Sequence, residues 1–144
     1  MALLRKEVEA LSTDYPSLKV IAIAPALPVA VSAVSVSVSG IQGMNSRHRC
    51  SYELIIDTSS LAVAIPPVWV RHPPDADIKH ANIWRANHTD HSFCRWAGTD
   101  LPSFCWHEYG EEWLNAPLDW RTLAAALEYV KQFLNTENHD SAAR

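Results

Sequence analysis

The chain has 144 residues, 48% hydrophobic and 19% charged, which suits one globular domain with a sizeable core and excludes a largely disordered chain. Its 12 basic residues are scattered and the net charge is −4, so it lacks the clustered Lys and Arg that replace counterions on nucleic-acid phosphates. Three cysteines, an odd number with no secretory signal in view, point to free thiols in a reducing compartment, and a cytoplasmic protein is expected.

Residues 2–13 read as a short amphipathic helix, with Leu3, Leu4, Val8 and Leu11 on one face, ended by Tyr15-Pro16. Leu18–Ala24 is β-branched and apolar and reads as a strand, followed by a turn from Pro25 to Pro28. Val29–Ser39 is a second strand with a change of phase near Ala33-Val34 that suggests a bulge. The uncharged run from Val20 to Ser46 has the length of a membrane span. Pro25 and Pro28 interrupt it, and Val34 to Ser39 alternates with period two, so strands are expected there and no membrane segment. After a loop over Gly40–Arg49, Tyr52–Asp57 is a third strand with Tyr52, Leu54 and Ile56 facing one way. The diproline Pro66-Pro67 demands extended, irregular backbone before a short fourth strand at Val68–Arg71. Residues 72–118 read as mostly irregular, a length of loop that usually carries function. The last element is a helix expected to start at an Asp119 N-cap, with Trp120, Leu123, Leu127, Val130 and Leu134 as its buried stripe and Asn135 at its end. The order implies an α+β fold with helices packed on one antiparallel sheet. A single domain over 1–144 is expected, with 136–144 as a flexible tail.

The loop-rich part from His80 to Trp113 concentrates the reactive chemistry, including Cys94 and Cys105. A cysteine can be a nucleophile, a metal ligand or a small buried hydrophobe, and Cys50 and Cys94 fit the last description best. Cys105 stands out for its polar flank, with His107 two residues on and Glu108, Glu111 and Glu112 behind it. His88, His91 and Cys94, with His80, Cys105 or His107, offer enough nitrogen and sulfur ligands for a tetrahedral zinc, although the spacing fits no established zinc signature. Trp113 and Trp120 read as core packing, His80 as a ring bonded to loop backbone, and Asn82 equally as a turn residue.

Taken in order, these features resemble the ubiquitin-conjugating enzymes. The residues that carry the resemblance are Ile65-Pro66-Pro67-Val68 after the third strand, His80-Ala81-Asn82-Ile83 in place of a His-Pro-Asn signature, and Cys105. Trp113 follows eight residues later, and then Pro117 before the last helix. The resemblance implies a helix, a four-stranded meander, a loop-rich active-site region and a C-terminal helix. Ala81 replaces the expected proline, and the distance from Asn82 to Cys105 implies an insertion at 84–100. Such departures are similar to those of divergent bacterial conjugating enzymes of antiviral defence operons.

The resemblance implies a transferase that carries a ubiquitin-like protein as a thioester on Cys105 and passes it to a lysine amine, with no cofactor. Cysteine suits both steps, being a strong nucleophile whose thioesters are open to amines. Asn82 is then a donor to the tetrahedral oxyanion, His107 a second donor or a base, and His80 a supporting residue. The activating enzyme would dock on the first helix, at Arg5 and Lys6. Two other classes stay open on the residues: a non-catalytic adaptor of the same fold, and a small zinc-binding protein using His88, His91 and Cys94.

Overall fold

The computed structural model describes residues 2–25, 28–43, 46, 48–88 and 92–137. Among these residues there are three α-helices and a mainly antiparallel sheet. The first helix is α1 (Arg5–Leu11); it buries Val8, and Glu7 closes its first turn by accepting from the Leu4 N–H at 2.7 Å. Just before it, Leu4 bridges Ala30 and the Leu3 carbonyl accepts from Val31 at 2.8 Å, which fastens the N-terminal segment to the sheet.

Strands β1 (Lys19–Ala24), β2 (Ala30–Ile41), β3 (Arg49–Asp57) and β4 (Val68–His72) form the expected meander. The register shifts twice here: Ile21 of β1 is unpaired between Val20 and Ala22, and Ser32 of β2 between Val31 and Ala33, so the irregularity expected near Ala33-Val34 involves both strands. The uncharged run thus forms paired strands, and among the described residues no helix is long and apolar enough to cross a membrane.

The sheet does not stop at four strands. Two short strands, β5 (Ile83–Trp84) and β8 (Ser103–Phe104), extend it to six in the order β1-β2-β3-β4-β8-β5. Between them a separate hairpin pairs β6 (Phe93–Cys94) with β7 (Thr99–Asp100). The segment read as mostly irregular therefore holds four strands, and after them a helix, α2 (Glu108–Asn115). Two-residue strands have no periodicity to read, and in α2 only Trp113 is buried, so its apolar pattern is too thin to mark a helix.

The closing helix α3 spans Leu123–Asn135 and buries Leu123, Leu127, Val130 and Leu134 as expected. Its N-cap is Thr122, whose hydroxyl accepts from the Ala125 N–H at 3.2 Å, and not Asp119. Asp119 and Trp120 lie in a preceding 3-10 turn, and Trp120 is 66% exposed, so it leaves the predicted stripe. The proline at 117 and the 3-10 turn break the helical run before it reaches Trp120.

One face of the sheet carries the main core, and the other is covered around β3 and β4. Val34, Val36, Leu54, Ile56, Val68 and Val70 join the residues of α1 and α3 in the main core. The alternate residues Ile55 and Trp69 point the other way and pack with Cys94 of the hairpin, flanked by Trp96, Ala97 and Leu101.

Candidate functional site

The Cys105 region is built from three chain segments. The first is the 80–82 turn, which follows β4 and leads into β5. His80 is 3% exposed, stacked on Phe133 of α3 at 5.7 Å and edge-on to Tyr52 of β3 at 6.4 Å. Its Nδ1 accepts from the Asn82 N–H at 3.2 Å, and its carbonyl accepts from Ile83 at 3.2 Å, so the histidine templates the turn. Burial holds the His80 imidazole below its usual range, with the Glu137 carboxylate and the Leu134 backbone only partly opposing this. A neutral ring is the form that can accept through Nδ1. Gly43, at φ 115°, lies so close that a Cβ would come within 2.5 Å of the Lys79 carbonyl and 2.7 Å of the His80 backbone.

The second segment carries Cys105. Its backbone N–H donates to the Asn82 carbonyl at 2.9 Å, just beyond the Ile83–Phe104 pair of β5 and β8. Trp106 next to it sends its indole N–H to the Pro66 carbonyl at 2.8 Å, and Trp113 of α2 sends its own to Leu61 at 2.8 Å. The loop between β3 and β4 offers the Leu61 and Pro66 carbonyls, and these two tryptophans use them to hang the Cys105 segment beside β4. His107 is the N-cap of α2 at φ 54° and ψ −134°, a left-handed conformation that costs a non-glycine residue of order 1–3 kcal/mol. Its Nε2 is buried without a hydrogen-bond partner among the described residues.

The third segment is the end of α3. Helix geometry stops at Asn135, and Thr136 is extended, at φ −134° and ψ 153°. Its carbonyl accepts from the Asn82 side-chain amide at 3.2 Å, and the Glu137 carboxylate accepts from the Ala81 N–H at 3.1 Å. These two residues, expected to belong to a loose tail, are held; the rest of that tail, 138–144, lies outside the described residues.

The segments enclose an open cleft of about 430 Å³ lined by Asn82, Cys105, His107, Glu108, Phe133 and Glu137, among others. Of the sequence-derived candidates, Asn82, Cys105 and His107 therefore face one cavity, while His80 lies beneath it and buttresses the turn. Thr136 and Glu137 were missed, because only the tertiary path of the chain brings them there. Cys105 is half-buried and Cys94 fully buried; Cys50 lines a different cavity with Tyr52 and Lys79. Burial and Cys50 beside it push the Tyr52 hydroxyl far up, and that hydroxyl donates to the Ile41 carbonyl at 2.6 Å.

Arg5 and Lys6 are both exposed on α1, and Lys6 borders an apolar groove with Leu61, Arg121 and Leu123 that is separate from the Cys105 cleft. Cys94 packs against Ile55 and Trp69, and His88 stacks on Trp84 at 3.8 Å. His91 lies outside the described residues, and among those described no three metal-ligating side chains converge.

The described residues of the expected 84–100 insertion include the β6–β7 hairpin. This hairpin lies on the sheet face opposite the main core, clamped by Asp57, whose carboxylate takes Arg95 at 3.1 Å and the Trp96 indole at 3.3 Å. The Arg95 guanidinium also sits 4.2 Å over the Trp96 ring. Burial pushes the Asp57 carboxyl up, but the Ser59 hydroxyl and N–H and the Arg95 charge outweigh it and hold the group below its ordinary range.

Comparison with known proteins gives no match for this chain among protein-family models, curated proteins or solved structures.

Proposed function

We propose that this protein is a ubiquitin-conjugating-type carrier in which Cys105 accepts a ubiquitin-like protein as a thioester and passes it to an amine, in the setting of bacterial antiviral defence. The observation that carries this reading is the pairing of Cys105 with Asn82. The two share one open cleft, and the Cys105 N–H to Asn82 carbonyl bond at 2.9 Å ties their backbones together. Cys94 is buried in apolar packing and Cys50 lies at another cavity, so Cys105 is the thiol best suited to the role.

The chemistry has two steps. The Cys105 thiolate attacks the thioester carbonyl at the C-terminus of the modifier, a new C–S bond forms, and the activating enzyme's thiolate leaves. A lysine amine then attacks the Cys105 thioester, the C–N bond forms, and the Cys105 thiolate leaves as the amine loses a proton. The Asn82 amide and His107, whose Nε2 has no partner among the described residues, are the candidates to stabilise the oxyanion or take that proton. Glu108 and Glu137 give the cleft an acidic lining suited to a lysine ammonium as it enters. Arg5 and Lys6 on the exposed face of α1 are the proposed contact for the activating enzyme.

The test is thioester formation with a ubiquitin-like protein, its activating enzyme and ATP. A reducible adduct is expected in the parent chain and in Cys94→Ser, and a reduction-resistant ester or no adduct in Cys105→Ser. An adduct lost in Cys94→Ser and kept in Cys105→Ser sinks the assignment. A modifier that binds equally well without any adduct, and still binds Cys105→Ala, would instead mark an adaptor.

A further inference from the structure

The turn that presents Asn82 has an unusual support. Residues 80–82 are all at least nine-tenths buried, so their polar backbone groups need partners inside the protein. His80 and Cys105 supply two of the ties, on the Asn82 N–H and the Asn82 carbonyl. Two further ties come from the segment leaving α3, where the Glu137 carboxylate accepts from the Ala81 N–H and the Thr136 carbonyl from the Asn82 side-chain amide. The Glu137 tie needs a backbone N–H at residue 81, which the alanine there has and a proline would lack. What a ring would have fixed covalently is fixed here by a carboxylate reaching from the end of the last helix. A bond from N–H to an ionised carboxylate is among the stronger kinds, about twice a neutral one.

We infer that Glu137 is a positioning residue for the reaction at Cys105: its carboxylate holds the Ala81–Asn82 turn, and with the Thr136 carbonyl it fixes the plane of the Asn82 amide at the cleft. The inference rests on the reading of Cys105 as the reacting thiol. An amide side chain has two N–H groups on one rigid plane. When Thr136 orients that plane, it sets the direction of the other N–H as well. An oxyanion donor works only when it is held in place before the charge develops, so losing the hold raises the barrier without abolishing the chemistry.

The test has a structural arm and a kinetic arm on the full chain. The structural arm follows hydrogen exchange of the Ala81 N–H and the Asn82 side-chain amide signal by nitrogen-15 NMR. In Glu137→Ala, exchange at Ala81 is expected to quicken by about tenfold or more, and the Asn82 amide signal to move, with the Leu127 amide in α3 unaffected. Glu137→Gln keeps an acceptor oxygen and should recover most of the protection. The kinetic arm charges Cys105 and adds free lysine at saturating concentration; aminolysis per charged chain in Glu137→Ala is expected to fall about 10- to 100-fold, with partial rescue in Glu137→Gln. Unaltered Ala81 exchange and an unmoved Asn82 signal in Glu137→Ala overturn the proposal. So does aminolysis at the parent rate when those signals have moved. A parent chain that forms no thioester refutes the conjugating reading instead, and the exchange data alone then decide whether Glu137 holds the turn.

Discussion

Cys105 and Asn82 are joined by a 2.9 Å backbone hydrogen bond across the ends of a long excursion of the chain. Everything between them, including the β6–β7 hairpin, lies on a detour that begins at β5 and returns at β8, its partner strand. The geometry of the cleft therefore depends on the sheet and on the three segments around it. Among the described residues, none of the detour lines the cleft.

His80 makes stability pH-dependent in a defined direction. Burial lowers its pKa in the folded protein, while the unfolded ring titrates near 6.5. Below about pH 6.5 the unfolded chain takes up a proton that the folded chain refuses, so stability is full above that pH and falls as pH drops towards the folded pKa. The groups facing the ring are the Glu137 carboxylate, which opposes the shift, and Tyr52 and Phe133, which carry no charge near neutrality. Urea midpoints between pH 7.5 and 5 are expected to fall, and His80→Gln should flatten that slope. A parent slope that survives the substitution unchanged would assign it to another group.

The tryptophans of the last third separate into structural and exposed. Trp113 is 1% exposed and bonds Leu61, so Trp113→Phe leaves a carbonyl without its donor and should cost about 1–3 kcal/mol in denaturant unfolding. Trp120 is 66% exposed, and Trp120→Ala is expected to change stability by less than about 0.5 kcal/mol. Equal losses in the two variants would contradict the placement of the helix start at Thr122.

The Asp57 clamp should be separable from the site. Asp57→Ala removes the acceptor for Arg95, Trp96 and Ser59 and is expected to destabilise by about 2–4 kcal/mol, because Trp96 and the hairpin lose their tie to the sheet. The rate of Cys105 alkylation by iodoacetamide in the folded variant should match the parent rate. A large change there would mean that the hairpin reaches the cleft after all.

The sequence made the meander legible because its strands are long and half-buried. Val34 to Ser39 alternates along β2, and Tyr52, Leu54 and Ile56 share a face of β3. Leu123, Leu127, Val130 and Leu134 announced α3 by their spacing. The sheet's other two strands were hidden, since two residues hold no period, and they form only where Trp69, Ser103 and Trp84 come side by side. Trp120 was misplaced because helical spacing continues through it on paper, while Pro117 and the 3-10 turn stop the helix short of it. Of the residues that line the cleft, Asn82, Cys105 and His107 could be singled out from residue type and order. Glu137 could not, because its role comes from a backbone N–H at Ala81, which no side-chain pattern reveals.

The closed detour between β5 and β8 has a consequence for how such a chain can vary. Because it leaves and re-enters at paired strand positions, its length can change without altering the spacing of Asn82 and Cys105. Its freedom is nonetheless bounded from the far side of the sheet, where Ile55 and Trp69 need an apolar lid that Cys94 now provides. Shorter versions are viable if they still bring one small hydrophobe over that pair. The hairpin is thus a replaceable cover for the back of the sheet, and the front can keep its cleft while the back is rewritten.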